Sequence, residues 1–173
     1  MSGFWECLIY LALIGIISFL AGRSLSEVRF SFEGFPFRPL PIENGGKIYQ
    51  RIGVHRWKEG FPDMSRMFPS LIPSKWLSKA VTADQIERMI RETCIAELVH
   101  GLLGVFGFGC IFIWKSIGGW VLSVLYLLGN LPYIIIQRYN RPKLISLLYR
   151  IRKREGRIQQ IGALEYRYGK VEN

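Results

Sequence analysis

The stretch Ile95–Ile136, IAELVHGLLGVFGFGCIFIWKSIGGWVLSVLYLLGNLPYIII, decides the fold. It consists of two apolar runs, Ile95–Trp114 and Trp120–Ile136, joined by a Gly-containing turn that carries Lys115. Each run comes close to the roughly 20 residues a helix needs to cross the hydrocarbon core of a bilayer. A third run of the same kind, FWECLIYLALIGIISFLA, occupies Phe4–Ala21. No basic residue precedes it, and no small-residue cleavage site stands before Gly22-Arg23, so it is expected to be a retained span and not a signal peptide. The expected fold class is therefore an all-α integral membrane protein, with about three transmembrane helices (4–21, 95–114 and 120–136) plus interfacial amphipathic helices. The whole chain, 1–173, is expected to form a single membrane domain.

Composition agrees with this. The 173 residues carry a net charge of +10, and half of them are hydrophobic. Lipid suits the apolar half, and anionic headgroups suit the basic residues. Nucleic acid, the other common partner of a basic chain, is not expected, because no recognisable nucleic-acid module is present. The three cysteines, Cys7, Cys94 and Cys110, are odd in number and lack C-x-x-C spacing, which argues against a disulfide framework or a zinc site. Packing is the plain role for all three, with a catalytic thiol at Cys94 as the minor alternative.

Outward from the central stretch, segment 22–94 is a cytoplasmic or interfacial loop. FSFEGFPFRPLPIENGG (Phe30–Gly46) combines aromatics with Pro36, Pro39 and Pro41, so it is expected to lie in the interface without forming a long helix, and Phe30–Leu40 could dip into the membrane. KIYQRIGVHRWKEGFPD (Lys47–Asp63) mixes basic and aromatic residues in the manner of a snorkelling surface segment. Thr82 and Gln85 form a capping-box pattern, which predicts a helix running from VTADQIERMIRE into the second span. After the third span, Leu144, Leu147, Leu148 and Ile151 recur at helical spacing opposite a basic face, which predicts an amphipathic surface helix over about 141–157. Pro132 is expected to kink the third span. A polar tail is expected from about Gln159.

The large loop and the C-terminal segment hold nearly all the lysines and arginines, whereas only Lys115 lies between spans two and three. By the positive-inside rule the chain is a multi-pass cell-membrane protein with its N-terminus outside and its loop and C-terminus cytoplasmic.

Ionisable groups inside spans are costly and usually face a protein interior or a wet cavity. Glu97 and His100 are three apart, on one face of the second span. Asn130 lies about as deep in the third span, at roughly 10 Å from the boundary, and Gln137 and Arg141 continue its face. A neutral imidazole can take a hydroxyl proton near pH 7. His100 is thus a candidate general base supported by Glu97, with Asn130 or an arginine facing a developing oxyanion. An interhelical hydrogen-bond cluster that merely holds the bundle together is equally compatible with these residues. One Glu-x-x-His without a second carboxylate cluster is too little for a metal site, and no metal is expected. Arg51, Arg56 and Lys58 could hold donor phosphates or anionic lipid, while His55 and Asp63 are alternative catalytic candidates.

The motifs IERMIRETCIAELVH (Ile86–His100) and NLPYIIIQRYNRPKL (Asn130–Leu144) resemble those of the glycosyl-4,4'-diaponeurosporenoate acyltransferase family, which acts in staphyloxanthin-type carotenoid biosynthesis. A looser element surrounds Arg56-Trp57-Lys58. The resemblance covers about Gly46–Lys153. It implies a membrane-bound O-acyltransferase that esterifies a sugar hydroxyl of a glycosylated lipid or carotenoid with a long-chain acyl group. Its partners would be membrane lipid, a lipid-linked sugar acceptor and an acyl donor, either acyl-CoA or acyl carrier protein, with no cofactor. Together with the depth argument, it makes His100, Glu97 and Asn130 the catalytic candidates. Arg51, Arg56, Trp57, Lys58, Gln137, Arg138, Asn140 and Arg141 are the substrate-binding candidates. Two rivals remain: another membrane transferase, for example a methyltransferase, and a non-catalytic scaffold or lipid-binding subunit.

Overall fold

The computed structural model describes residues 2–25, 34–38, 40–60 and 82–169, and these contain helix and turn but no strand. Helix α1 spans Ser2–Ser24. A 3-10 turn at Pro41–Gly46 leads into two short helices, α2 (Lys47–Arg51) and α3 (Val54–Trp57). Helix α4 runs over Ala83–Phe106, a 3-10 turn follows at Gly107–Gly109, and α5 covers Cys110–Ile113. The last helix, α6, is continuous from Ile117 to Gly169. Asp63, Phe30, Phe32 and Pro39 lie outside the described residues.

Three helical stretches are long and apolar enough to cross a membrane: Gly3–Ser24, Ala83–Ile113 and Ile117–Gly156. The chain is a membrane protein. Its outer surface shows this directly, because Trp5, Ile9, Leu13, Ile16, Ile17 and Leu20 of α1 are all exposed, as are Val105, Phe112 and Leu125. Lipid replaces water as the solvent for such a face.

The capping box forms as expected. The Gln85 amide donates to Thr82 Oγ1 at 3.3 Å and the Thr82 amide donates to Gln85 Oε1 at 3.0 Å. From that start α4 pairs with α6 along the most extensive helix contact of the molecule. The approach is close: a Cβ at Gly104 would stand 2.8 Å from Leu127, and one at Gly107 would stand 2.6 Å from the Tyr126 ring. Small residues at such positions allow backbones to meet in lipid, where no hydrophobic force drives helices together.

At the Gly107–Gly109 turn the regular helical ladder is interrupted, and carbonyls there need other donors. Tyr10 Oη donates to Phe106 O at 2.8 Å, and Ser123 Oγ donates to Gly107 O at 3.0 Å. Cys7 Sγ approaches Cys110 O at 3.6 Å. Cys7, Leu11 and Cys110 form the buried core of this end.

The expected separate surface helix at 141–157 does not occur. Helix α6 passes through both Pro132 and Pro142 without ending. Arg138 and Arg141, just before Pro142, are tied to α4 and to the loop, which holds the chain helical where proline removes a donor. The apolar stripe predicted to lie on lipid is buried against protein: Leu148 packs with Ile86 and Ile90, joined by Leu144, Leu147 and Ile151. The first turns of α4 and the outgoing part of α6 thus form an antiparallel pair with its own core. The backbone from Gln159 to Gly169, expected as a tail, is helical.

Candidate functional site

His100 of α4 and Asn130 of α6 face each other, with His100 Nδ1 2.8 Å from Asn130 Oδ1. The orientation of the amide is decided by its other end, because Asn130 Nδ2 donates to Tyr126 O at 2.8 Å. Reversing the amide would set two oxygens against each other, so Oδ1 must accept from His100. Nδ1 therefore carries the proton, and in the neutral ring Nε2 is left with its lone pair. The Tyr133 ring stacks on the imidazole, with centroids 4.4 Å apart and planes 7° from parallel, which fixes the direction of Nε2. Asn130 is buried and His100 half-buried.

One turn toward the loop lies a cluster of four charged residues, Glu43, Glu97, Arg138 and Arg141. Glu97 Oε1 accepts from Arg138 Nε at 2.7 Å, and its second oxygen pairs with Arg141. Arg138 also pairs with Glu43 and donates to Pro36 O at 2.8 Å. Arg141 donates to Thr93 Oγ1 at 3.0 Å, to Thr93 O at 3.1 Å and to Phe37 O at 2.9 Å. Two carboxylates and two guanidiniums cancel in charge. Such a group survives burial only when charges pair and their remaining donors are used, as they are here. Glu43, Glu97 and Arg141 are all buried.

This arrangement changes several of the sequence-based roles. Glu97 does not support the imidazole through a hydrogen bond; its oxygens go to the arginines, and Asn130 is the partner of His100. Both ends of the Asn130 amide are engaged within the protein, one by His100 and the other by Tyr126 O. Arg141, only 2% exposed, spends its donors on protein acceptors. Arg138 is similarly committed. Both join α4 and α6 to the Phe35–Glu43 segment. Gln137 and Asn140 are half-buried on the same helix, with no side-chain hydrogen bond to another described residue.

Trp57 is held by packing and a hydrogen bond. Its Nε1 donates to Ile52 O at 3.1 Å, and its ring packs on the core of Tyr49, Val54 and Tyr139. Burial first, and then the hydrogen bond and charge of Glu43, hold the Tyr49 phenol well above its ordinary range, so it remains a donor. Lys58 Nζ lies 5.3 Å from the centre of the Tyr139 ring, while Arg51, Arg56 and His55 are exposed on α2 and α3. Cys94 is buried, which suits packing. Sequence reasoning missed Glu43, Tyr133 and Tyr139. A signal existed for two of them: Glu43 is the sole acid between Gly34 and Lys58, and Tyr133 follows Asn130 by three residues, on its helix face.

The family model for glycosyl-4,4'-diaponeurosporenoate acyltransferase matches residues 35–150, which include every residue of the two clusters. The chain belongs to this family. It is accordingly an acyltransferase. Proteins of that name from Staphylococcus aureus strains N315 and bovine RF122 / ET3-1 are each 30% identical to it over 156 residues, covering 87% of this chain and 90% of theirs. The protein from strain MRSA252 is 29% identical over 155 residues. No solved structure matches.

Proposed function

We propose that the chain is a membrane-bound O-acyltransferase that transfers a long-chain acyl group from a thioester to a sugar hydroxyl of a glycosylated lipid, with a glycosylated carotenoid as the acceptor suggested by the names of its relatives. The observation that carries the mechanism is the His100–Asn130 hydrogen bond with its fixed amide orientation. Nε2 of His100 removes the hydroxyl proton as the oxygen attacks the thioester carbonyl. The C–S bond then breaks, and the departing thiolate takes the proton back from the imidazolium. The products are the sugar ester and the free thiol, so charge balances and no oxidant or reductant is consumed. General base assistance of this kind is worth about 10²–10⁴-fold in rate.

Placement supports the reading. His100 lies beneath the charged cluster and is flanked along α4 and α6 by the lipid-exposed residues Leu102 and Leu131, so a lipid acceptor can enter sideways. The distribution of basic residues favours the loop and the end of α6 on the cytoplasmic side, where a polar thioester such as acyl-CoA or an acyl carrier protein is available. Purified protein in lipid vesicles, supplied with a glycosylated carotenoid and an acyl thioester, is expected to form the sugar ester. Formation of a methylated product from a methyl donor, or no group transfer from any donor, would overturn the assignment.

A further inference from the structure

An open groove of about 380 Å³ lies between α2 and the outgoing part of α6, away from the His100 pair. Its α6 wall is built from Tyr139, Lys143, Ser146 and Arg150, a spacing that puts all four on one helix face. Gly46 and Gln50 form the opposite wall. No carboxylate among the described residues lines it. Among the described residues neither Lys143 nor Arg150 pairs with an acid, unlike Arg152, which pairs with Glu87. Lys143 Nζ is held 3.6 Å from the centre of the Tyr139 ring, and Lys58 approaches the same ring. Positive charge is therefore concentrated where nothing in the described protein neutralises it.

We propose that this groove binds the phosphate-bearing end of the acyl donor, a nucleotide-linked thioester whose acyl group is carried on a long flexible arm. The inference rests on the acyltransferase reading above and names the donor class. Three observations fit it. Lys143 and Arg150 stand about 10 Å apart along the helix axis, and Lys143 Nζ is drawn over the Tyr139 ring, away from Arg150, which suits a ligand with separated phosphates. Guanidinium and ammonium groups both bind phosphate strongly. Lys143 is also about 20 Å along the axis from Asn130, so a bound phosphate cannot adjoin the reacting carbonyl and the thioester must extend from it on an arm. The two spaced cations favour a free coenzyme with several phosphates over the single phosphodiester of a carrier protein or a phospholipid headgroup.

The test compares the wild-type protein with Lys143→Gln, Arg150→Gln and the control Lys115→Gln, which lies in the turn before α6. Lys143 and Arg150 are exposed, and yield in detergent checks that the variants fold. The KM for an acyl-coenzyme A donor is expected to rise about tenfold in each groove variant, with the acceptor KM and the control unchanged. Adenosine 3',5'-bisphosphate, titrated by calorimetry, is expected to bind the wild type and to bind each groove variant about tenfold more weakly. Unchanged donor KM and nucleotide binding in both groove variants would overturn the proposal. So would a response that follows only the anionic phospholipid content of the vesicles, which would mark a headgroup site, or donor discrimination favouring acyl carrier protein. Nucleotide binding that is lost in the variants while the wild type transfers no acyl group would keep the groove and remove the acyltransferase reading.

Discussion

The two ends of the helix bundle are held by different physics. At the Cys7–Cys110 end, α1, α5 and α6 meet through small residues and apolar side chains, and stray carbonyls are taken up by Tyr10 and Ser123. At the other end Glu43, Glu97, Arg138 and Arg141 bind two helices and a loop through charge. The first device suits lipid, where a neutral hydrogen bond is enough to satisfy the backbone. The second recruits the Phe35–Glu43 segment, where Phe37 is buried while Phe35, Leu40 and Ile42 stay exposed. The His100–Asn130 pair lies between these ends. It needs the charged end to hold α4 against α6 in register, and the apolar end to keep water scarce.

Removing one member of the charged group should have the largest structural effect. Arg141→Ala leaves Glu97 half-neutralised in a buried site, and a loss of about 3–5 kcal/mol is expected, read as a lower thermal midpoint and lower yield in detergent. Combining it with Glu97→Gln should restore part of that loss, because the uncompensated carboxylate is then gone. If both single variants are as stable as the wild type, the charged cluster does not hold the helices.

Asn130→Ala should come next. The imidazole loses the partner that fixes its tautomer and direction, and a fall of about 10–100-fold in acyl transfer is expected with little loss of folded protein. At the apolar end, Gly107→Val would drive a side chain into the Tyr126 ring, 2.6 Å from the new Cβ. The expected cost is about 1–3 kcal/mol of stability, measured by thermal unfolding in detergent. The smallest effect belongs to Arg152→Gln. Its partner Glu87 is near the surface and Arg152 itself is exposed, so a change below about 1 kcal/mol is expected.

Much of the membrane fold was legible, because apolar length is a strong signal and needs no knowledge of partners. The same signal misled at the C-terminal side. Leu144, Leu147, Leu148 and Ile151 have the period of an amphipathic helix, but period alone does not say whether the apolar stripe meets lipid or protein; Ile86 and Ile90 supply the answer. Pro132 predicts a kink in the third span, yet the helix runs on through it and through Pro142, where Arg138 and Arg141 anchor it to α4 and the loop. His100 and Asn130 could be paired from depth in two spans. The division between Glu97 and Asn130 as partners of His100 could not, since it depends on which arginines reach Glu97, and those lie more than forty residues away. The groove residues Lys143 and Arg150 read as ordinary surface charge until α2 is seen opposite them.

The central claim is that His100, oriented by Asn130, is the base for acyl transfer. The most direct test is the rate of sugar-ester formation by His100→Ala in lipid vesicles, at matched amounts of folded protein. A fall of about 10²–10⁴-fold is the expected result. Acyl transfer at the wild-type rate would contradict the account.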